Sequence, residues 1–189
     1  MKIGLSGGSF NPIHCGHIAA AKAVFEQLHL DKVWFVPTGK HAFDKPLLPW
    51  ETRAELIRAA LLEFPYFELS EIDSDAKNTG YTFNLIKKLK TELPNNTFYF
   101  IIGADNIPEL PLWHRYKELL DEVQFVVLNR PGNDIKQLSN LPYFDKLLLI
   151  EMEPVNVSSS EIRERVKEGK SLSGMVPEAV EKQIIDFYS

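Results

Sequence analysis

The stretch Ile3-Gly4-Leu5-Ser6-Gly7-Gly8-Ser9-Phe10-Asn11-Pro12-Ile13-His14-Cys15-Gly16-His17 decides the fold. An apolar strand signal empties into a glycine-rich turn, and two histidines stand where a helix begins. Gly7 and Gly8 allow the backbone to approach a bulky anion closely. A helix N-terminus beside them adds partial positive charge and unpaired N–H groups. His14 and His17 are three positions apart, so in a first helical turn they can face one ligand. The pattern describes a site for the phosphates of a nucleotide.

Outward from this stretch, strand-like and helix-like segments alternate to the end of the chain. Lys2 to Ser6 reads as the first strand, followed by Ala21, Val24, Phe25 and Leu28 at helical spacing. Lys32 to Val36 is a second strand, closed by Pro37-Thr38-Gly39. A loop with Pro46 and Pro49 then precedes a helix whose inner face is Ile57, Ala60, Leu61 and Phe64. Tyr66 to Ile72 is a third strand. Asn78-Thr79-Gly80 breaks the chain before a helix carrying Ile86, Leu89 and Leu93. Thr97 to Ile102, Val123 to Leu128 and Lys146 to Ile150 are apolar almost without interruption. Continuous apolar strands suit a parallel sheet covered on both faces. The alternation predicts a doubly wound, Rossmann-like α/β domain with a mostly parallel sheet and right-handed crossovers. No repeat or linker appears, so residues 1–189 read as one domain, with 130–145 a connection inside it.

Five polar segments fall just past strand ends: 7–11, 37–45, 103–105, Arg130 and 158–160. The carboxyl edge is where open α/β sheets bind ligands, so these segments converge on one site.

Composition bounds the function. Of 189 residues, 44% are apolar and 25% charged, as in soluble globular proteins. The formal charge of −5 argues against a general nucleic-acid binder, which usually needs a basic surface. The single cysteine, Cys15, rules out an internal disulfide and fits a reducing compartment. The first strand begins almost at Met1, and no apolar run approaches the ~18 residues of a membrane span. The chain is expected to be cytoplasmic, without membrane or nucleic-acid partners.

Each candidate residue has a plainer reading beside the functional one. His14 and His17 contact phosphate or shape a turn; zinc would need more convergent ligands than the spacing offers. Ser158 and Glu161 have capping-box spacing, so a helix starts there. Ser158, Ser159 and Ser160 then serve as a cap or as an anion site, with Arg163 presenting a fork to phosphate. Arg165, two positions on, reads as surface. Asp105 after Gly103 bonds a ribose hydroxyl, helps to position magnesium, or caps a helix beginning near Asn106. Trp113 packs in the core or stacks on a planar ring. Lys40, His41 and Lys45 are a cationic loop, either phosphate-binding or solvated. Cys15 has no orienting partner that would make it a nucleophile.

The turn 7–17 resembles the Gly-Gly-[Ser/Thr]-Phe-[Asp/Asn]-Pro-x-His-x-Gly-His motif of a nucleotidylyltransferase superfamily. Gly80-Tyr81-Thr82-Phe83, the run Phe98 to Asp105, Trp113-His114, Arg130-Pro131-Gly132 and the run Val157 to Arg165 are similar, in that order, to bacterial nicotinate-nucleotide adenylyltransferases. The resemblance runs nearly end to end. It implies that ATP and nicotinate mononucleotide react, with magnesium carried mainly by the ATP phosphates, to give deamido-NAD and pyrophosphate. It also implies site roles. Gly7, Gly8, Ser9 and Phe10 line the ATP. His14 and His17 hold the ATP phosphates, with Gly103 alongside. Ser158, Ser159 and Arg163 close the other side of the triphosphate. Thr82, Trp113 and His114 hold the pyridine ring, and Asp105 lies near the ribose.

Two features depart from that pattern. Val157 and Ser160 replace the commoner Ile and Thr, which keeps a hydroxyl. The loop after the second strand lacks the usual Pro-Pro-His-Lys, and Lys45, with His41 second, is the matching cation. The rival readings are the amidated mononucleotide as acceptor, a pantetheine-phosphate adenylyltransferase, and a nucleotide-binding regulatory module without turnover. Retention of both histidines, the serine run and Arg163 speaks against the last. Oligomer formation is compatible with the sequence.

Overall fold

The computed structural model describes residues 1–39, 47–74, 81–129, 139–153 and 155–189. Six strands form one sheet: β1 (Lys2–Gly8), β2 (Lys32–Pro37), β3 (Phe67–Leu69), β4 (Thr97–Gly103), β5 (Gln124–Asn129) and β6 (Leu147–Glu151). Their order is β3-β2-β1-β4-β5-β6, and every neighbouring pair is parallel. The helices are α1 (Cys15–Leu28), α2 (Trp50–Ala60), α3 (Thr82–Glu92), α4 (Tyr116–Glu122), α5 (Ser159–Lys167) and α6 (Glu178–Tyr188). A 3₁₀ helix, Ala104–Leu112, follows β4.

Strand side chains alternate between two cores. Val33, Phe35, Ile101, Val126 and Leu128 join α1, α2, α5 and α6 through Ala21, Val24, Ile57, Ile162 and Ile184. Ile3, Leu5, Phe98, Phe100, Phe125 and Val127 join α3, α4 and the 3₁₀ helix through Ile86, Leu119 and Ile107. Successive strand residues point to opposite faces, so the apolar runs are filled on both sides and helices cover both. The doubly wound expectation is met, with a wholly parallel sheet.

The third strand is shorter than predicted. Only Phe67–Leu69 pairs with β2, at the sheet edge, although Ser70 N–H still donates to Phe35 O at 2.8 Å. An edge strand has one neighbour, and the polar residues after Ser70 have no second strand to hold them in the ladder. The segment after Gly103 is a 3₁₀ rather than an α-helix because Pro108 and Pro111 remove two N–H donors within it.

In a parallel sheet of this order the chain reverses direction of winding between β1 and β4. Their carboxyl ends splay apart and leave a crevice. Gly7-Gly8 and Ile102-Gly103 are the residues at that crevice.

Candidate active site

The turn after β1 leads into α1 through His14, whose backbone is extended (φ −150°). His14 N–H donates to Nδ1 of His17 at 3.3 Å, and His17 N–H donates to His14 O at 3.0 Å. Because Nδ1 of His17 accepts that N–H, its neutral ring carries its proton on Nε2. The two imidazoles stack, with centroids 3.6 Å apart and planes 25° apart. Phe10 meets the His17 ring edge-on at 4.8 Å. Gly16 sits in a tight space between them: a Cβ there would stand 3.0 Å from His14 Nδ1 and 3.1 Å from Val157 Cγ1.

The second motif docks on the first. Ser158 is the N-cap of α5, its Oγ accepting the N–H of Glu161 at 3.1 Å. Ser159 Oγ donates to Pro12 O at 2.8 Å, and Arg163 Nη1 donates to Asn11 O at 2.7 Å. The first turns of α1 and α5 therefore open on the same cavity, of about 350 Å³. It is lined by Gly7, His14, Gly16, His17, Gly103, Asp105, Ser158 and Ser159 among others. Two helix N-termini facing one space make it strongly anion-attracting.

A neighbouring cavity, of about 320 Å³, lies on the other side of the glycine turn. Gly7, Gly8, Ser9, Thr38, Asp73, Tyr81, Thr82 and Trp113 line it. The two spaces share Gly7, Ile101, Ile102, Gly103 and Asn106, so they meet over the crevice between β1 and β4. Trp113 is held edge-on against Phe100 and Phe125, at 6.1 Å and 6.3 Å between centroids. Thr82 is the first residue of α3, whose N-terminus thus opens on this second space.

Thus Gly7, His14, His17, Gly103, Asp105, Ser158 and Ser159 come together in one cavity, and Gly7, Gly8, Ser9, Gly103, Thr82 and Trp113 in the other. Five predicted residues take different places: Gly8 and Ser9, expected on the ATP with Gly7 and His17, line only the second space, and three others line neither. The Phe10 side chain is 1% exposed and lines neither space: it packs on Phe35 and the edge of His17, beneath the site. The guanidinium of Arg163, expected to fork a phosphate, donates to Asn11 O and Ser160 Oγ, and the residue lines neither cavity. His114 stacks on Tyr81 at 4.6 Å, behind the residue that does line the space. Asp105 is exposed in the first turn of the 3₁₀ helix, while Gly103 is its N-cap without a side-chain cap bond. That carboxylate folds over Gly103: a Cβ at 103 would lie 2.3 Å from Asp105 Oδ1. Lys40, His41, Lys45 and Arg130 lie outside the described residues.

Two further residues at the site, Arg53 and Tyr188, carried no readable pattern. Arg53 is 1% exposed and donates to the carbonyls of Ser9, Thr38 and Leu48. Asn11, also buried, accepts at Oδ1 from Leu48 N–H at 3.1 Å and from the Tyr188 hydroxyl at 2.7 Å. Burial pulls the Arg53 guanidinium below its ordinary value and pushes the Tyr188 phenol up. Burial likewise raises the Cys15 thiol, which keeps it from being a thiolate nucleophile. Only a lone arginine on a charged helix and a tyrosine near the last residue would have marked them. Both are ordinary surface patterns.

Among the described residues, no group of three or more His, Cys, Asp or Glu is placed to hold a metal ion. No helix among them is long and apolar enough to cross a membrane.

A parallel sheet of this order, with paired histidines and two helix N-termini over its crevice, defines an α/β protein built to bind the phosphates of a nucleotide. The sequence profile of the family described as Cytidylyltransferase-like matches residues 5–165. A probable nicotinate-nucleotide adenylyltransferase of Exiguobacterium sibiricum is 38% identical over 187 residues, covering 98% of this chain and 96% of that protein. One from Geobacillus kaustophilus is 38% identical over 181 residues, covering 95% and 81% respectively. The fold is similar to that of Plasmodium falciparum nicotinic acid mononucleotide adenylyltransferase complexed with NaAD. The TM-score is 0.83 at 23% identity, covering 98% of this chain and 95% of that one. The chain belongs to the nicotinate-nucleotide adenylyltransferase family.

Proposed function

We propose that this protein transfers the adenylyl group of ATP to nicotinate mononucleotide, giving deamido-NAD and pyrophosphate. The observation that carries the reading is the pair of cavities that meet over Gly7 and Gly103, one anion-attracting and one walled by Trp113. ATP occupies the first, with its phosphates against His14, His17, Ser158 and Ser159. The mononucleotide occupies the second, its ring against Trp113 and Thr82. An oxygen of the mononucleotide phosphate attacks the α-phosphorus where the cavities join. The bond from that phosphorus to the bridging oxygen breaks, and pyrophosphate leaves.

The chain's work in this step is alignment and charge stabilisation. His17 presents its Nε2 proton to the phosphate oxygens, because its Nδ1 already accepts the His14 N–H. Ser158 Oγ accepts from Glu161, which leaves its own hydroxyl proton as a donor. Arg163 acts from beneath, holding the carbonyl of Asn11. Asp105 is the one carboxylate among the described residues lining the ATP space. Asp105 would be the protein carboxylate beside a magnesium ion carried on the triphosphate, and that ion would neutralise part of the phosphate charge.

Pyrophosphate release on mixing protein, ATP, magnesium and each mononucleotide in parallel tests the reading. Release with nicotinate mononucleotide well above that with the amide supports it. Preference for the amide corrects the acceptor. ATP binding without release from any acceptor favours a regulatory module.

A further inference from the structure

We propose that Arg53 is a positioning residue for the acceptor: its buried guanidinium locks the turn after β1 to the loop after β2 and so sets one wall of the acceptor cavity. The inference rests on the assignment of that cavity to the mononucleotide.

Arg53 lies on α2 and is 1% exposed. Nη1 donates to Ser9 O at 2.6 Å, Nη2 to Thr38 O at 2.8 Å, and Nε to Leu48 O at 2.9 Å. These carbonyls belong to three different segments: the turn after β1, the loop after β2, and the entry to α2. Ser9 and Thr38 both line the acceptor cavity, and neither lines the ATP cavity. Burying a guanidinium is costly unless its donors are satisfied, and an apolar side chain would fill the same volume more cheaply. What an apolar residue, or lysine, does not supply is a planar fork that fixes three carbonyls at once.

The Ser9 carbonyl also belongs to the peptide that precedes Phe10. Phe10 has φ 45°, in the left-handed region that a bulky side chain disfavours. Such a conformation persists only where its surroundings over-determine it. Arg53 grips the peptide before Phe10, and Arg163 grips the carbonyl of the residue after it. Asn11 Oδ1 returns to Leu48 N–H, so Leu48 is tied through both its carbonyl and its amide. The brace runs from α2 under the acceptor wall to the nucleotide turn.

The test compares Arg53→Lys and Arg53→Met with wild type in steady-state turnover, varying each substrate separately, with melting followed in parallel. The expected result is a rise of about tenfold or more in KM for the mononucleotide, with the ATP KM held within about twofold. Arg53→Lys should recover part of the loss, since an ammonium replaces one of the three bonds. A folded Arg53→Lys or Arg53→Met protein with wild-type mononucleotide KM overturns the proposal. So does an equal rise in both KM values, which marks general loosening. Failure of both variants to fold would assign Arg53 to the fold and also overturn it. Wild-type protein inactive with every acceptor would instead fail the functional reading, so the two failures are distinguishable.

Discussion

Gly16→Ala puts one methyl group into a tight point of the phosphate site, between His14 and Val157. The new Cβ would stand 3.0 Å from His14 Nδ1, 3.1 Å from His14 Cε1 and 3.1 Å from Val157 Cγ1, each inside the 3.4 Å at which ordinary contact begins. Neither neighbour yields easily. His14 is 6% exposed and stacked on His17 at 3.6 Å, and Val157 is buried in the core. Overpacking of this kind costs about 1–3 kcal/mol. The gain in helix propensity from Gly to Ala is at most about 1 kcal/mol, and smaller at the second position of a helix. The variant should therefore be less stable by roughly 0–3 kcal/mol. Relief of the clash requires His14 to move by a few tenths of an ångström. Misplacement by a full ångström can cost on the order of 10²-fold, so turnover should fall by about tenfold. The mononucleotide KM should stay put, since His14 does not line that cavity. Chemical denaturation and pyrophosphate release measure the two effects. A variant that gains the full alanine increment in stability and keeps wild-type turnover would refute the reasoning.

Three further outcomes follow from the same geometry. His17→Ala should lower turnover by on the order of 10²–10³-fold for one lost stabilising donor, with little change in mononucleotide binding; near-normal turnover rejects the role. Trp113→Ala should raise the mononucleotide KM by about 5- to 150-fold, the range that loss of ring stacking worth ~1–3 kcal/mol implies, and a change confined to the ATP KM would reassign the ring. Lys87 and Lys90 hold the Glu122 carboxyl well down, from 4.5 to about 2. A depressed folded-state value means that the stabilisation is present above about 4.5 and disappears as pH falls toward 2. Glu122→Gln should thus lose at most about 1 kcal/mol at neutral pH, both lysines being half-exposed, and match wild type near pH 2. A stability gap unchanged from neutral pH down to 2 would contradict this.

Strands β1, β2, β4 and β5 were legible because a strand buried on both faces must be apolar at nearly every position, as Phe98 to Ile102 is. The β3 ladder was overestimated because residues 70–72 have strand-like spacing but lie at an edge, where pairing rather than pattern decides the end. The histidine turn and the serine cap were legible because their spacing is local. Helix geometry converts three-residue intervals directly into shared faces. The contact that Arg163 makes was not legible, for the opposite reason. Its destination, Asn11 O, is 152 positions away, and no local rule announces it. Arg53 was invisible on similar grounds. Within Trp50-Glu51-Thr52-Arg53-Ala54-Glu55 it looks like any solvated helix charge, and only the folded chain shows the three carbonyls around it. The burial of the Phe10 ring was not legible, because nothing in the motif announces its left-handed backbone or the pocket beneath the turn.

The most direct measurement is a structure with a non-hydrolysable ATP analogue and nicotinate mononucleotide bound together. The phosphates should lie against His14, His17 and Ser158, with the α-phosphorus beside the mononucleotide phosphate above Gly7 and Gly103. A triphosphate seated away from both imidazoles, or a pyridine ring outside the space walled by Trp113, would contradict the account.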